Sequence, residues 1–147
     1  MLDSRNLKHV PLLEGEEKLQ QLSLAHNEIQ KIENIVSLPN LTQLDLQQNR
    51  LSEINQMPTL KHLRVLNLSK NFIEKIENLE DLPSLDVLDL NDNRILTLDN
   101  LKGIATLRVL NLANNLITVF ALPHTLKNLQ ELNLRKNFIG EVQAVAV

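Results

Sequence analysis

The chain has no cysteine, no tryptophan and no tyrosine, and only three glycines among 147 residues. Without cysteine there is no disulfide framework, no thiolate nucleophile and no thiolate-bound zinc, and such a chain suits a reducing compartment. With only Gly15, Gly103 and Gly140 available, neither a glycine-rich phosphate loop nor a G-x-S-x-G turn can be assembled. Phe72, Phe120 and Phe138 are the whole aromatic complement, too few for the stacking platforms that read single-stranded nucleic acid. Nor does one sign of charge dominate: 15 basic against 18 acidic residues leave a net −3, which exerts no global pull on phosphate backbones or anionic lipid. No apolar run approaches the roughly 18 residues of a membrane span. Met1 to Val10 mixes Asp3, Arg5 and Lys8 into short apolar steps, unlike a signal peptide. An intracellular protein is expected, cytoplasmic or nuclear, with no membrane, nucleic-acid or metal partner.

Catalytic constellations lack their parts too. His9, His26, His62 and His124 fall in different registers of the repeat described below, so no metal or proton relay is expected to join them. Asp45 and Asp89 share a register but lie two strands apart, about 9–10 Å, with Asn67 between them. No enzyme activity and no cofactor are expected.

What is present is a period. Asparagine recurs every 22 residues at Asn27, Asn49, Asn71, Asn93, Asn115 and Asn137. Leucines stand five and three residues before each, as in Leu22 and Leu24 or Leu88 and Leu90, and all twelve are leucine. A further leucine lies three positions earlier (Leu19, Leu41, Leu63, Leu85, Leu107, Leu129), and an aliphatic follows two after each asparagine. The pattern LxxLxLxxNxI is the signature of a repeat solenoid. In xLxLx alternate side chains share a face, so both leucines point inward from a short strand while their neighbours face out. The asparagine, at the sharp corner that follows, is suited to bonding backbone groups that would otherwise be buried without partners. Aliphatics then step by three, as in Ile73, Ile76, Leu79 and Leu82, which suits short helical or 3₁₀ segments on the far side. The fold class expected is an α/β-type repeat solenoid with a parallel sheet along one face, no coil of which could stand alone.

One domain is expected over residues 1–147, with a partial capping coil at 1–18 and about six 22-residue coils at 19–147. The partial coil puts Leu2, Leu7, Val10 and Leu13 on the inward registers and Arg5 on that of the asparagine, followed by the charged stretch Glu14 to Lys18. Ile139, Val142 and Val145 continue the pattern in a last, incomplete coil, as expected for a piece of a longer protein. Phe120 and Pro123 replace the usual aliphatics of the fifth coil. Proline donates no backbone hydrogen bond, so Val119 to Thr125 should be rearranged there, with Leu122 turning inward.

Stacking turns each register into a row of outward-facing side chains. The row before the first strand leucine reads Gln21, Gln43, Val65, Val87, Val109, Glu131, which places three valines at the centre of a polar sheet. Such a stripe suits a protein contact, and equally suits strand packing. One register earlier Arg64, Asp86 and Arg108 alternate in sign and should bridge one another. With Asn67, Asp89, Asn91 and Asn111 from the neighbouring rows, these residues are the expected partner-contact surface. Phe72, Leu116 and Phe138, directly after the asparagine where Glu28, Arg50 and Arg94 are charged, are secondary candidates, with packing between coils the competing explanation.

The 22-residue pattern, with phrases such as Asn71-Phe72-Ile73-Glu74-Lys75-Ile76-Glu77-Asn78-Leu79, resembles the leucine-rich-repeat subclass typified by the nuclear regulator of protein phosphatase-1. Leu13-Glu14-Gly15-Glu16, Leu85-Asp86-Val87-Leu88-Asp89-Leu90 and Leu107-Arg108-Val109-Leu110-Asn111-Leu112 are similar to the leucine-rich-repeat subunit associated with the tubulin polyglutamylase complex. The resemblance implies a right-handed curved coil with a concave parallel sheet, convex 3₁₀ segments and protein binding on the concave face. It implies an intracellular scaffold or adaptor, cytoskeletal, centrosomal or ciliary. The alternatives are a regulatory subunit of an enzyme such as protein phosphatase-1 and a self-associating structural repeat. The regulator's concave face is rich in aromatic and acidic residues, whereas the three phenylalanines here fall outside the concave registers. Oligomeric state is left open by the residues.

Overall fold

The structure, a computed structural model, describes residues 1–101 and 103–142; Val145, expected to continue the inward register, lies outside them. Among the described residues eight short strands follow one another: β1 Gln21–Ser23, β2 Gln43–Asp45, β3 Val65–Asn67, β4 Val87–Asp89, β5 Val109–Asn111, β6 Val119–Phe120, β7 Glu131–Asn133 and β8 Glu141–Val142. Strands β1, β2, β3, β4, β5 and β7 form one six-stranded sheet in that order, and every pairing is parallel. Partners are 22 residues apart throughout, as in Leu66↔Leu88 and Leu88↔Leu110. Each strand is short because the chain must leave the sheet at once to complete its coil.

Inside, the repeated leucines and isoleucines form one continuous core in which Leu66, Leu68, Ile73, Leu85, Leu88 and Leu90 are fully buried. Burial weakens at the ends, where Leu2, Leu7, Leu129, Leu132 and Leu134 are only half-buried. The N-terminal segment continues the ladder, with the Leu2 N–H donating to Ser23 O at 2.9 Å and the Ser4 N–H to Ala25 O at 3.0 Å.

The asparagine ladder takes a definite form. Asn93 Nδ2 donates to Leu68 O of the preceding coil at 3.0 Å and to Leu90 O and Asn91 O of its own at 3.1 and 3.2 Å. Its Oδ1 accepts the Ile73 N–H at 3.0 Å. Asn49, Asn71 and Asn115 repeat this arrangement, so the carbonyls of Leu46, Leu68 and Leu90 are each shared by two asparagines.

The residue before each ladder asparagine adopts a left-handed backbone: His26, Gln48, Lys70, Asp92, Asn114 and Lys136 have φ between 52° and 57°. None is glycine, and each such residue is strained by about 1–2 kcal/mol. The strain is offset by hydrogen bonds between coils, since the same N–H groups donate across the stack, as in Lys70 N–H to Asn91 O at 2.9 Å and Asp92 N–H to Ala113 O at 3.0 Å.

On the far side the three-residue period is realised differently from the short helical segments expected there. Single i→i+3 bonds recur, such as Leu63 N–H to Leu60 O and Leu85 N–H to Leu82 O, but no helix occurs among the described residues. A helix needs successive bonds of this type, and here neighbouring backbone groups bond between coils instead. In the fifth coil β6 pairs in parallel with β8, Leu122 is half-buried against the core, and Pro123 O accepts the Leu126 N–H at 3.2 Å.

Candidate functional site

The outward side chains of the six-stranded sheet make a continuous face. Val65, Val87 and Val109 stand side by side in register on β3, β4 and β5 and are half-buried. Gln43 on one flank and Glu131 on the other are exposed, so the apolar stripe is three strands wide.

Immediately before the stripe lies a charge cluster of Arg64, Asp86 and Arg108. Arg108 grips Asp86 bidentately, Nε to Oδ1 at 2.5 Å and an NH2 to Oδ2 at 2.6 Å. Arg64 approaches Oδ2 from the other side at 3.4 Å. The Asp86 side chain is 12% exposed, whereas those of Arg64 and Arg108 are 62% and 47% exposed. The carboxylate is thus the enclosed centre of the cluster and both guanidinium groups reach solvent, with the Glu131 charge also acting on Arg108. The Arg108 hydrogen bonds, opposed by partial burial and helped by the Arg108 and Arg64 charges, hold the Asp86 carboxyl below its ordinary value. Asp86 in turn raises Arg108.

A carboxyl whose pKa is lowered by folding stabilises the native state above its unfolded value, and that stability is lost as the pH falls through the native one. The stability difference between wild type and Asp86→Asn should therefore be present near about pH 7 and shrink toward zero as acid is added below the ordinary aspartate range. Urea midpoints of both proteins across that range check it, and a difference independent of pH would contradict the assignment.

The row between the two strand leucines is less free than its outward direction suggests. Asp45, Asn67, Asp89, Asn111 and Asn133 each accept, through Oδ1, the backbone N–H two residues on, at 2.9 to 3.2 Å. These Asx turns end the strands. Where Ser23 is too short to do so, Asp3 of the preceding coil accepts both the Ser23 hydroxyl at 2.5 Å and the Ala25 N–H at 3.1 Å. The next row folds back on this one: Gln47 donates to Asp45, Ser69 to Asn67 and Asn91 to Asp89. In that row Ala25 and Ser69 are buried. Among the expected contact residues, Asn67, Asp89, Asn91 and Asn111 therefore also shape the sheet. The signal for this role was in the chain, since five of six positions in that register are Asp or Asn. For the left-handed row the signal was partial: His26, Asp92 and Asn114 are of types enriched at positive φ, whereas Gln48, Lys70 and Lys136 are not.

The secondary candidates lie elsewhere, on the ledge beyond the asparagine turn. Phe72, Leu116 and Phe138 are 42%, 40% and 67% exposed, so each presents apolar surface to solvent. The Arg94 guanidinium lies 4.7 Å over the Phe72 ring.

No group of three or more His, Asp or Glu that could hold a metal is found among the described residues, and no helix there is long and apolar enough to cross a membrane.

A parallel-sheet solenoid with a buried asparagine ladder and a structured polar and apolar sheet face is a repeat protein of the binding-module class. The family model described as Leucine Rich repeats (2 copies) matches residues 17–59, 61–103 and 105–146, and the chain belongs to the leucine-rich-repeat family. The human leucine-rich repeat-containing protein 49 is 46% identical over 60 residues, 41% of this chain and 9% of that protein. Among solved structures, the TLR13–ssRNA13 complex matches with a TM-score of 0.79 and 31% identity over 84% of this chain and 19% of that one. Internalin C2 from Listeria monocytogenes matches with a TM-score of 0.76 and 30% identity, over 87% of this chain and 55% of that one. The leucine-rich-repeat domain of APL1B gives a TM-score of 0.79 and 25% identity, over 94% and 42% of the two chains. The chain thus spans about a tenth of the length of the human relative and a fifth to just over half of these structural neighbours.

Proposed function

We propose that the domain is an interaction scaffold or adaptor that docks a protein partner on its six-stranded sheet. The observation that carries this reading is the Arg64–Asp86–Arg108 cluster set directly beside the valine stripe. A desolvatable apolar strip with a prearranged charge pattern along its border offers both contact area and orientation, and ordering it costs a partner little because the side chains are already held. Structural similarity to TLR13, whose complex contains single-stranded RNA, raises nucleic acid as another occupant. The sheet rows favour protein: they carry Asp45, Asp86, Asp89 and Glu131 and no aromatic side chain. The setting we propose is intracellular, on cytoskeletal, centrosomal or ciliary assemblies, supported by the similarity of the repeat phrases to proteins working there.

Substituting Val87→Glu puts a charge at the centre of the stripe without touching the core. Proteins retained by the immobilised wild-type domain and then purified should bind Val87→Glu at least about tenfold more weakly, while its circular dichroism and melting curve stay unchanged. Equal binding by a folded Val87→Glu protein would sink the sheet-face assignment. Phosphatase activity in the retained fraction would favour the enzyme-regulator reading, and concentration-dependent sedimentation of the domain alone would favour self-association.

A further inference from the structure

We propose that the ledge following the asparagine ladder is a second, separate docking site, for an extended acidic segment of a partner protein in polyproline II conformation with an apolar residue at every third position. Phe72, Leu96, Leu116 and Phe138, at 42%, 51%, 40% and 67% exposure, are four of the eight large hydrophobic side chains exposed among the described residues. All four sit on this ledge, Leu96 two residues beyond Arg94 with the buried Ile95 between them. Exposed apolar groups concentrated in one strip mark an interaction surface more than scattered ones do.

The row along the ledge reads Glu28, Arg50, Phe72, Arg94, Leu116, Phe138, and over its four central coils, Arg50 to Leu116, cation and apolar group alternate. The alternation is geometrically regular because one backbone ladder runs through the row: the Phe72 N–H donates to Leu51 O, that of Arg94 to Ile73 O and that of Leu116 to Ile95 O, at 2.7 to 2.9 Å. The Arg94 guanidinium lies over Phe72, 4.7 Å from the ring centroid, and makes no ion pair among the described residues. Arg50 is 56% exposed and only loosely paired with Glu28 at 3.8 Å. Beside Phe72 the ledge deepens into a cleft of about 350 Å³ lined by His26, Glu28, Gln48 and Arg50.

The spacing selects the conformation of the occupant. Coils lie about 4.8 Å apart, so from Arg50 to Leu116 like groups recur every two coils, about 9.6 Å. A polyproline II chain rises about 3.1 Å per residue and presents the same side every three residues, about 9.3 Å. An extended β-strand repeats its face at about 6.7 Å and matches neither one coil nor two. The arginines supply the charge complementarity that asks for carboxylates at the same three-residue interval. A phosphodiester chain fits less well: it carries a charge on every residue, whereas cations stand only on alternate coils of the ledge, at Arg50 and Arg94.

The test uses the whole chain and a fluorescein-labelled peptide of repeating Glu-Pro-Leu units, followed by fluorescence anisotropy. The wild type should bind it saturably, and more weakly as salt is raised. Arg94→Glu and Phe72→Ala should each weaken binding about tenfold, and a Lys-Pro-Leu peptide should not bind. Val87→Glu, on the sheet, should leave the affinity within about twofold, which separates this site from the sheet-face docking proposed above. All of the substituted residues are at least partly exposed, and an unchanged melting curve confirms that each variant is folded. The proposal is overturned if the wild type shows no saturable binding, if Arg94→Glu binds as well as wild type, if Val87→Glu abolishes binding, or if labelled oligouridine binds the ledge more tightly than the acidic peptide does.

Discussion

Asn93→Ala is expected to destabilise the domain by about 3 kcal/mol, a large effect for a single polar side chain. Asn93 is buried at the middle of the ladder, and its removal leaves the Ile73 N–H without its acceptor and takes one of two donors from each of the Leu68 and Leu90 carbonyls. An orphaned buried N–H costs about 1–3 kcal/mol, and the weakened carbonyls and the small void add to that. Asn93→Asp separates the two halves of the side chain's role. The aspartate keeps an acceptor for Ile73 but brings no donor and places a charge beside the Leu68 and Leu90 carbonyls, so it should be at least as damaging as alanine. Urea unfolding followed by circular dichroism measures both. A loss below about 1 kcal/mol for Asn93→Ala would mean that water replaces the amide, and the ladder would then not be the element that closes the corners.

Leu88→Ala should cost about 3–5 kcal/mol, whereas Leu132→Ala, in the same register two coils later, should cost less than about half of that. Leu88 is fully buried with β3 on one side and β5 on the other, and Leu132 is half-buried. In a solenoid each coil contacts only its neighbours, so stability is a sum of coil and interface contributions and the ends can open alone. Leu132→Ala should accordingly raise amide exchange in the β7 coil and leave β3 protected. Equal costs at the two positions would indicate that the stack unfolds as one unit with its last coil as firmly packed as its centre.

How much was legible follows from what each residue type can signal. A leucine pair in xLxLx and an asparagine three residues on leave few arrangements that bury the one and satisfy the other, so strand positions, inward faces and register could be read directly. The charge bridge could be read as well, since Arg64, Asp86 and Arg108 fall in one row. The structural duty of Asn67, Asp89 and Asn111 was harder to see, because an outward-facing amide serves a turn or a partner equally well until its Oδ1 is seen to accept a backbone N–H. Turns in place of the expected helical segments have the same origin: the three-residue step of aliphatics records which side chains face inward, not whether the intervening backbone bonds within a coil or between coils.

By itself the amino-acid order determined a 22-residue coil, its inward leucines and its asparagine corner, because burial and hydrogen-bond satisfaction act on residue types at set spacings. Tertiary structure alone decided the left-handed row from His26 to Lys136, the fold-back of Asn91 and Ser69 onto the strand ends, and the exposure of Phe72, Leu96, Leu116 and Phe138. Those features depend on what the adjacent coil presents: a strained φ is tolerated where its N–H finds a carbonyl one coil away, and a phenylalanine stays on the surface where the interior is already filled.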